Sequence, residues 1–400
     1  MNKALTVILA GPLPPPIAGP ELVTETFLQE GPNHNIQYIF IDLTASSNAS
    51  RARWSIRSAM RGLGQALRLV RIAWKSRDQT KILHMPLSQS NTGVVRDLVL
   101  VALARMLGLK IVLQFHGGDF RQFWLRCRYR GVVAQTLSKI DKLLVFDPLM
   151  KSQFPFVPVN RMAVLRNPVP GTWIQAWPQL PDRVGQRESL RILFVSHISV
   201  AKGFLDLIRA LSDLPGSMDW ELHVAGDRID FERNIVWTGM DMNHGWSRAL
   251  EIMSRSHLTE RVTFHGVITG ATKEHLFEQG HVLVLPSYSE GLPLVVLEAM
   301  YAGLTVIGTK VGAMPSLLDP SFLINPGDTK ALTRKLADLD PARCAVWGHD
   351  NRRRIEEGYL PGQVVAHLRT LYEELSIRHP PINLLDRKSG QVSIKTRGPT

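Results

Sequence analysis

The stretch Leu283–Gly312, LVLPSYSEGLPLVVLEAMYAGLTVIGTKVG, constrains this 400-residue chain more than any other. An apolar run from His281 to Leu285 suits one buried strand. Pro286 and Ser287 end it, and a polar turn follows through Ser289, Glu290 and Gly291. Pro293 fits a first helical turn, where its missing N–H costs nothing. The helix reads to Tyr301, with Gly303 placed to cap its C-terminus, and Thr305–Gly308 forms a second buried strand. Strand, loop, helix and strand make one βαβ unit. Its loop lies at the carboxyl end of a strand, where open parallel sheets bind ligands.

Two carboxylates mark that loop and helix, Glu290 and Glu298. An ionised carboxylate only accepts hydrogen bonds, and its two oxygens match neighbouring hydroxyls of a sugar. Between them lies a helix N-terminus with free N–H groups and partial positive charge, suited to a phosphate. Sugar, phosphate and ribose together describe a nucleotide-sugar. By spacing alone, an ordinary turn glutamate and an ordinary helix glutamate would look the same.

The run EGLPLVVLEAMYAGLTVIGT resembles the E-x7-E signature of family-4 retaining glycosyltransferases, also called glycosyl transferases group 1. The resemblance implies an α/β chain with the GT-B fold, two Rossmann-like domains facing each other across a cleft. It implies that Glu290 contacts the transferred sugar and Glu298 holds the ribose. The amides of Gly291 and Leu292 would then face the sugar and its phosphate. One departure follows: Gly312-Ala313 and Ser316 stand where the family usually has Gly-Gly and a later Glu.

The rest of the chain extends this resemblance. The apolar stretch Ala4–Ala10 is short and runs into Gly11 and a proline-rich loop, so it reads as a first strand rather than a signal peptide. The loop Gly11–Gly19 occupies the place of the family's glycine-rich loop and keeps Gly19 of the usual pair. Strand Lys110–Phe115 ends in His116-Gly117-Gly118, resembling the first-domain site in which this His approaches the donor sugar. The motif VLRNPV, Val164–Val169, resembles the family's hinge entry. After strand Arg191–Val195, the loop SHISVAKG corresponds to one carrying a basic pair that grips the diphosphate. Lys202 holds the second of those positions, and His197 stands where Arg is usual. The stretch Arg228–His257 reads as irregular. The expected layout is an acceptor-side domain over 1–170, a linker over 171–190 and a donor-binding domain over 191–360. A crossover helix over 361–378 and a disordered tail over 379–400 complete it.

Charge is uneven. Residues 1–180 carry 22 Lys and Arg against 9 Asp and Glu, a net of +13 within a whole-chain total of +12. The excess points to an anionic partner of the first half. Residues 51–76 sharpen this. At about 100° per residue, Ile56, Met60, Leu63, Leu67, Val70 and Trp74 share one stripe, and Arg53, Arg57, Arg61, Arg68, Arg71 and Lys75 share the next. The simplest expectation packs the apolar stripe on a sheet. The basic stripe, with Trp54 and Ile72 at its edge, then meets an anionic membrane surface.

Asp338-Leu339-Asp340 mimics the D-x-D of metal-dependent glycosyltransferases but follows a helical stretch rather than a strand end. The resemblance implies no metal and no cofactor beyond the nucleotide-diphosphate-sugar donor. No Walker A motif is present, and no G-x-G-x-x-G follows the first strand, which argues against an NTPase and a dehydrogenase. The two cysteines, Cys127 and Cys344, have no metal or redox spacing and suit a reducing, cytoplasmic compartment. The expectation is a hexosyltransferase-type enzyme, peripheral on the inner face of the plasma membrane. Its acceptor would be a lipid-linked or cell-envelope glycan, with no nucleic acid involved. A GT-B sugar-nucleotide epimerase and a non-catalytic lipid- or nucleic-acid-binding module on the same scaffold are the alternatives.

Overall fold

Strands that are apolar on both faces need helices on both sides of their sheet. The computed structural model describes residues 4–44, 56–75, 80–181, 189–228 and 245–377, and its helices and strands alternate accordingly. The first half begins with β1 (Leu5–Gly11), α1 (Gly19–Glu30), β2 (Ile36–Asp42) and α2 (Ile56–Lys75). It continues through β3 (Thr80–Leu87), α3 (Asn91–Met106), β4 (Lys110–Phe115), α4 (Phe120–Arg126) and α5 (Arg130–Leu137). β5 (Lys142–Val145), β6 (Met162–Val164) and α6 (Gly171–Ala176) close it. The six strands form one parallel sheet in the order β2-β1-β3-β4-β5-β6. β1 and β2 pair in unbroken register from Leu5↔Ile36 to Gly11↔Asp42.

The second half begins with β7 (Leu190–Val195), α7 (Phe204–Ser212), β8 (Trp220–Ala225), α8 (Gly245–Arg255) and β9 (Val262–Gly266). Then come α9 (Gly270–Gln279), β10 (Val282–Leu285), α10 (Leu294–Tyr301), β11 (Thr305–Thr309), α11 (Met314–Leu317) and β12 (Leu323–Ile324). Helices α12 (Thr329–Ala337), α13 (Pro341–Glu356) and α14 (Pro361–Ile377) follow. Its sheet is also parallel, in the order β12-β11-β10-β7-β8-β9. Chain progression reverses between β7 and β10, and between β1 and β3 in the first sheet. Each reversal splays two loops apart at the carboxyl edge and opens a crevice there.

Right-handed crossovers sort the first half's helices into two layers. The β1-to-β2 connection runs one way along the sheet and the next four run the other. So α1 lies on one face with α14, while α2 packs on α3 and α3 on α5 across the opposite face. α14 returns from the second half to the first. Its Tyr372 hydroxyl meets His84 Nδ1 at 2.6 Å, and its Glu374 pairs with Lys142 at 3.2 Å.

Three expectations change. α2 turns Gln65, Ala66, Leu69 and Ala73 into the core, while Met60, Leu63, Leu67 and Trp74 stand 61–70% exposed. The sheet-facing side is therefore rotated by roughly a third of a turn from the large apolar stripe. Ile72, expected at the outer edge, packs against the core instead. Arg53 and Trp54 lie outside the described residues. The second change is in the expected linker, which contains α6, with Trp173 and Trp177 buried. The third is in the stretch read as irregular, whose described part contains α8. The expected tail, 379–400, lies outside the described residues.

Candidate functional site

β10 is fully buried, and its chain leaves the sheet at Pro286 into the loop that carries Glu290. That loop is pinned on several sides. Thr309 Oγ1 donates to the Ser287 carbonyl, Tyr288 N–H to the Ala201 carbonyl, and Tyr288 hydroxyl to Asp206 at 2.6 Å. α10 then starts after Pro293, which takes the N-cap position rather than the first turn. All of α10 from Val296 to Tyr301 is buried, Glu298 included. The backbone at Gly303 closes the helix with a positive φ of 75°.

The loop after β7 lies on the other side of the second sheet's reversal. It brings Lys202 Nζ to 2.7 Å from Glu290 Oε1, and the buried Ser287 hydroxyl donates to the same oxygen at 2.7 Å. Gly203 makes this approach possible. Its φ is +75°, and a Cβ there would collide with the Pro286 carbonyl. Two loops remote in sequence thus converge on one ion pair at the crevice. His197 belongs to the same loop but is exposed, and no hydrogen bond joins it to the pair among the described contacts.

Glu298 has its own cation. Lys273 Nζ, from α9, lies 2.6 Å from Glu298 Oε2 and sits over the rings of Trp173 and Phe277. Trp173 in α6 also donates its indole N–H to the Glu298 carbonyl at 2.8 Å. Asn167, in the hinge-entry motif, donates to the Leu292 carbonyl at 2.9 Å. The connection between halves therefore holds the glutamate-bearing loop and helix directly.

From the first half, the loop after β4 comes against Glu290 and Gly291. A Cβ on Gly118 would fall 2.6 Å from the Glu290 carbonyl and 2.7 Å from its nitrogen. His116 is part-buried, with its ring 5.7 Å from Phe146. Burial lowers its pKa to about 4, so at neutral pH the imidazole is uncharged and can donate and accept hydrogen bonds. Gly19 opens α1 at the crevice of the first sheet, with free space over it. Gly312, at φ +54°, backs the loop from behind, where a Cβ would meet the carbonyls of Glu290 and Gly291. The departure at Ala313 leaves its N–H bonded to the Gly291 carbonyl at 2.8 Å.

Lys273, Trp173, Ser287 and Asn167 were not singled out as site residues. Lys273 and Trp173 give no local signal, since one is a helix lysine and the other lies in an apparent linker. Ser287 stands three residues before Glu290, a spacing that could have been read. Asp338 and Asp340 belong elsewhere. They close α12 and open α13, where Asp340 accepts from the Arg343 N–H at 2.8 Å.

Residues 189–339 match the family model described as "Glycosyl transferases group 1". N-acetyl-alpha-D-glucosaminyl L-malate synthase of Bacillus anthracis is 26% identical over 220 residues. That match covers 54% of this chain and 51% of the relative, so the chain spans about half the relative's length. Sucrose-phosphate synthase from Thermosynechococcus elongatus superposes with a TM-score of 0.65 at 17% identity, covering 93% of this chain and 99% of that one. Anabaena HepE in complex with UDP-glucose superposes with a TM-score of 0.62 at 15% identity and the same coverage. The fold is GT-B: two parallel six-stranded sheets with their crevices brought together.

Proposed function

We propose that this chain is a retaining, hexosyltransferase-type glycosyltransferase that moves a sugar from a nucleotide-diphosphate-sugar to an acceptor hydroxyl. The observation that carries the reading is the Lys202–Glu290 pair at the reversal of the second sheet, one helix away from Glu298. The group 1 match over residues 189–339 and the bound UDP-glucose of the HepE relative support it.

In this reading Glu298 accepts hydrogen bonds from the ribose hydroxyls while Lys273 holds its other side. Glu290, His116 and the amides of Gly291 and Leu292 surround the sugar, and Lys202 faces the diphosphate, with His197 at the loop's outer edge and Gly19 leaving room at α1. The bond from the anomeric carbon to the diphosphate oxygen breaks, and a bond to the acceptor oxygen forms on the same face of the ring. The acceptor proton goes to the departing diphosphate. No protein nucleophile is needed, and stabilising the leaving group is the main electrostatic task. We assign no metal to this chemistry, because Lys202 and the N-terminus of α10 supply the positive charge. The acceptor class we favour is a lipid-linked or cell-envelope glycan on the cytoplasmic face of a membrane.

The test is calorimetry with UDP, GDP and ADP, then NMR of the product formed from the matching sugar-nucleotide. Retained anomeric configuration in an acceptor-dependent reaction is the expected result. Inverted configuration would overturn the retaining assignment, and turnover of the donor without acceptor would favour the epimerase.

A further inference from the structure

We propose that the outer face of α2, α3 and α4 docks on an anionic lipid bilayer. α2 carries two apolar faces, and the core takes the one built on small residues. The larger side chains Met60, Leu63, Leu67 and Trp74 therefore form a row along the outside, and the neighbouring α3 exposes Val99 and Met106 as well. Ten of the seventeen exposed large hydrophobic residues among the described residues fall between Met60 and Val132, in helices α2 to α5 and the turns between them. A concentration of exposed apolar side chains of this kind marks an interaction site.

Charge identifies the partner. Helices α2 to α5 carry ten Arg and Lys and one carboxylate, Asp97. Asp97 is buried and paired with Arg96 at 2.8 Å, so the outward surface of these helices presents no acid. Arg61, Arg68, Arg71 and Lys75 are exposed in a row beside the apolar one. A second copy of this chain would bring that row against itself, since a two-fold contact repeats the same patch on both sides. Nucleic acid would use the arginines and leave the aliphatic row in water. An anionic bilayer uses both, with lipid phosphates for the cations and the acyl boundary for the apolar row. No helix among the described residues is long and apolar enough to cross a membrane, so the contact is a surface one.

The orientation fits the cleft. α2, α3 and α4 each follow the carboxyl end of a strand, so their N-terminal ends lie on the crevice side of the first sheet. Arg121, at the start of α4, follows the His116 loop by only a few residues. A bilayer against this layer borders the cleft mouth, where a lipid-linked acceptor would enter. The inference rests on the proposed transfer only for that last point.

The test is co-sedimentation of the full chain with vesicles of phosphatidylcholine, alone or mixed with phosphatidylglycerol, at physiological salt. The variants are Arg61→Glu/Arg68→Glu/Arg71→Glu and Leu63→Gln/Leu67→Gln/Trp74→Gln, all at exposed side chains. Wild type should prefer the anionic vesicles. The charge variant should bind them at least about a hundredfold more weakly and the apolar variant at least about tenfold. Both should keep the wild-type melting temperature and nucleoside diphosphate affinity. Equal partitioning into neutral and anionic vesicles, or variants that bind like wild type, would overturn the proposal. So would a dimer that the apolar variant dissolves, which would assign the face to a second copy. Lost vesicle binding with intact nucleotide binding concerns this surface alone, whereas the converse concerns the transfer reading.

Discussion

The second sheet and the first are built on one plan and use it in opposite ways. In the second, the helix that matters, α10, is almost wholly buried, and its charged contacts are few and fixed: the Lys202–Glu290 pair before it, the Lys273–Glu298 pair along it and Arg352 on the Tyr301 carbonyl at its end. In the first, the outer helices expose arginine and large apolar residues together, while the cleft side presents a neutral imidazole and two glycines. Under the two proposals, the difference separates two tasks. A site that binds an anion by a few oriented groups needs a rigid frame, and burial of α10 provides one. A surface that meets a fluid, extended partner needs area and charge rather than geometry, and an exposed helix face supplies both.

The orientation of α2 tests the contrast most directly. Leu69 is fully buried and Leu67 is 61% exposed, two residues apart on one helix. Leu69→Ala should cost about 2–5 kcal/mol of unfolding free energy, and Leu67→Ala within about 0.5. Urea unfolding of both variants measures this directly. The reverse ranking would return the large apolar stripe to the core and remove the proposed docking face with it.

At the other pole, Glu290→Ala and Lys202→Ala should each lower turnover about 10²–10³-fold, the scale of losing one group that stabilises developing charge. Lys202→Ala should also weaken nucleoside diphosphate binding, and Glu290→Ala should leave it nearly unchanged. Steady-state rates paired with calorimetry separate the two. Matching affinity losses in both would place Glu290 on the diphosphate instead of the sugar.

Glu298→Ala should weaken nucleoside diphosphate affinity by about 1.5–3 kcal/mol, the worth of hydrogen bonds to a charged group. It also strands Lys273 between two aromatic rings. Glu298→Gln keeps the shape without the charge and should fall between wild type and alanine in the same titration.

The neutral side of the cleft makes a pH prediction. Burial, then the neighbouring His116, lower the pKa of His84 to about 3, and burial lowers that of His116 to about 4. In the unfolded chain both return to about 6.5. Between those limits the unfolded state binds more protons, so stability is complete above about pH 6.5 and falls as pH drops. Each histidine contributes a slope of up to about 1.4 kcal/mol per pH unit. Denaturant unfolding at pH 7 and pH 5 should show a smaller difference in His84→Gln than in wild type; an equal difference would assign the acid sensitivity to other groups.

The smallest effect belongs to the D-x-D mimic. Asp340→Ala removes the cap of α13 and should cost about 1 kcal/mol of stability while turnover stays at the wild-type level. A loss of activity restored by added divalent cation would make the aspartate a metal ligand after all.

What could be read directly depends on near neighbours along the chain. The strands named from the sequence, β1, β4, β7, β10 and β11, read correctly because each short apolar run had only one place to go, between two helix layers, whereas the two-residue β12 left no such run. Glu290, Gly291 and Glu298 could be named because loop and helix follow each other without a break, so their relation is set by local geometry. What meets them is set by the assembled fold. Lys202 and Lys273 approach from other βα units, and Trp173 and Asn167 from the connection between the halves, at separations of 25 to 125 residues that no periodicity records. It decided the rotation of α2 as well. Both faces of that helix are apolar enough to bury, and hydrophobicity alone favours the larger. The space against β2 and α3 admits a close approach, and the small side chains of Ala66 and Ala73 allow it where Leu63, Leu67 and Trp74 would hold the helix away. Fit, rather than hydrophobic content, chose the face.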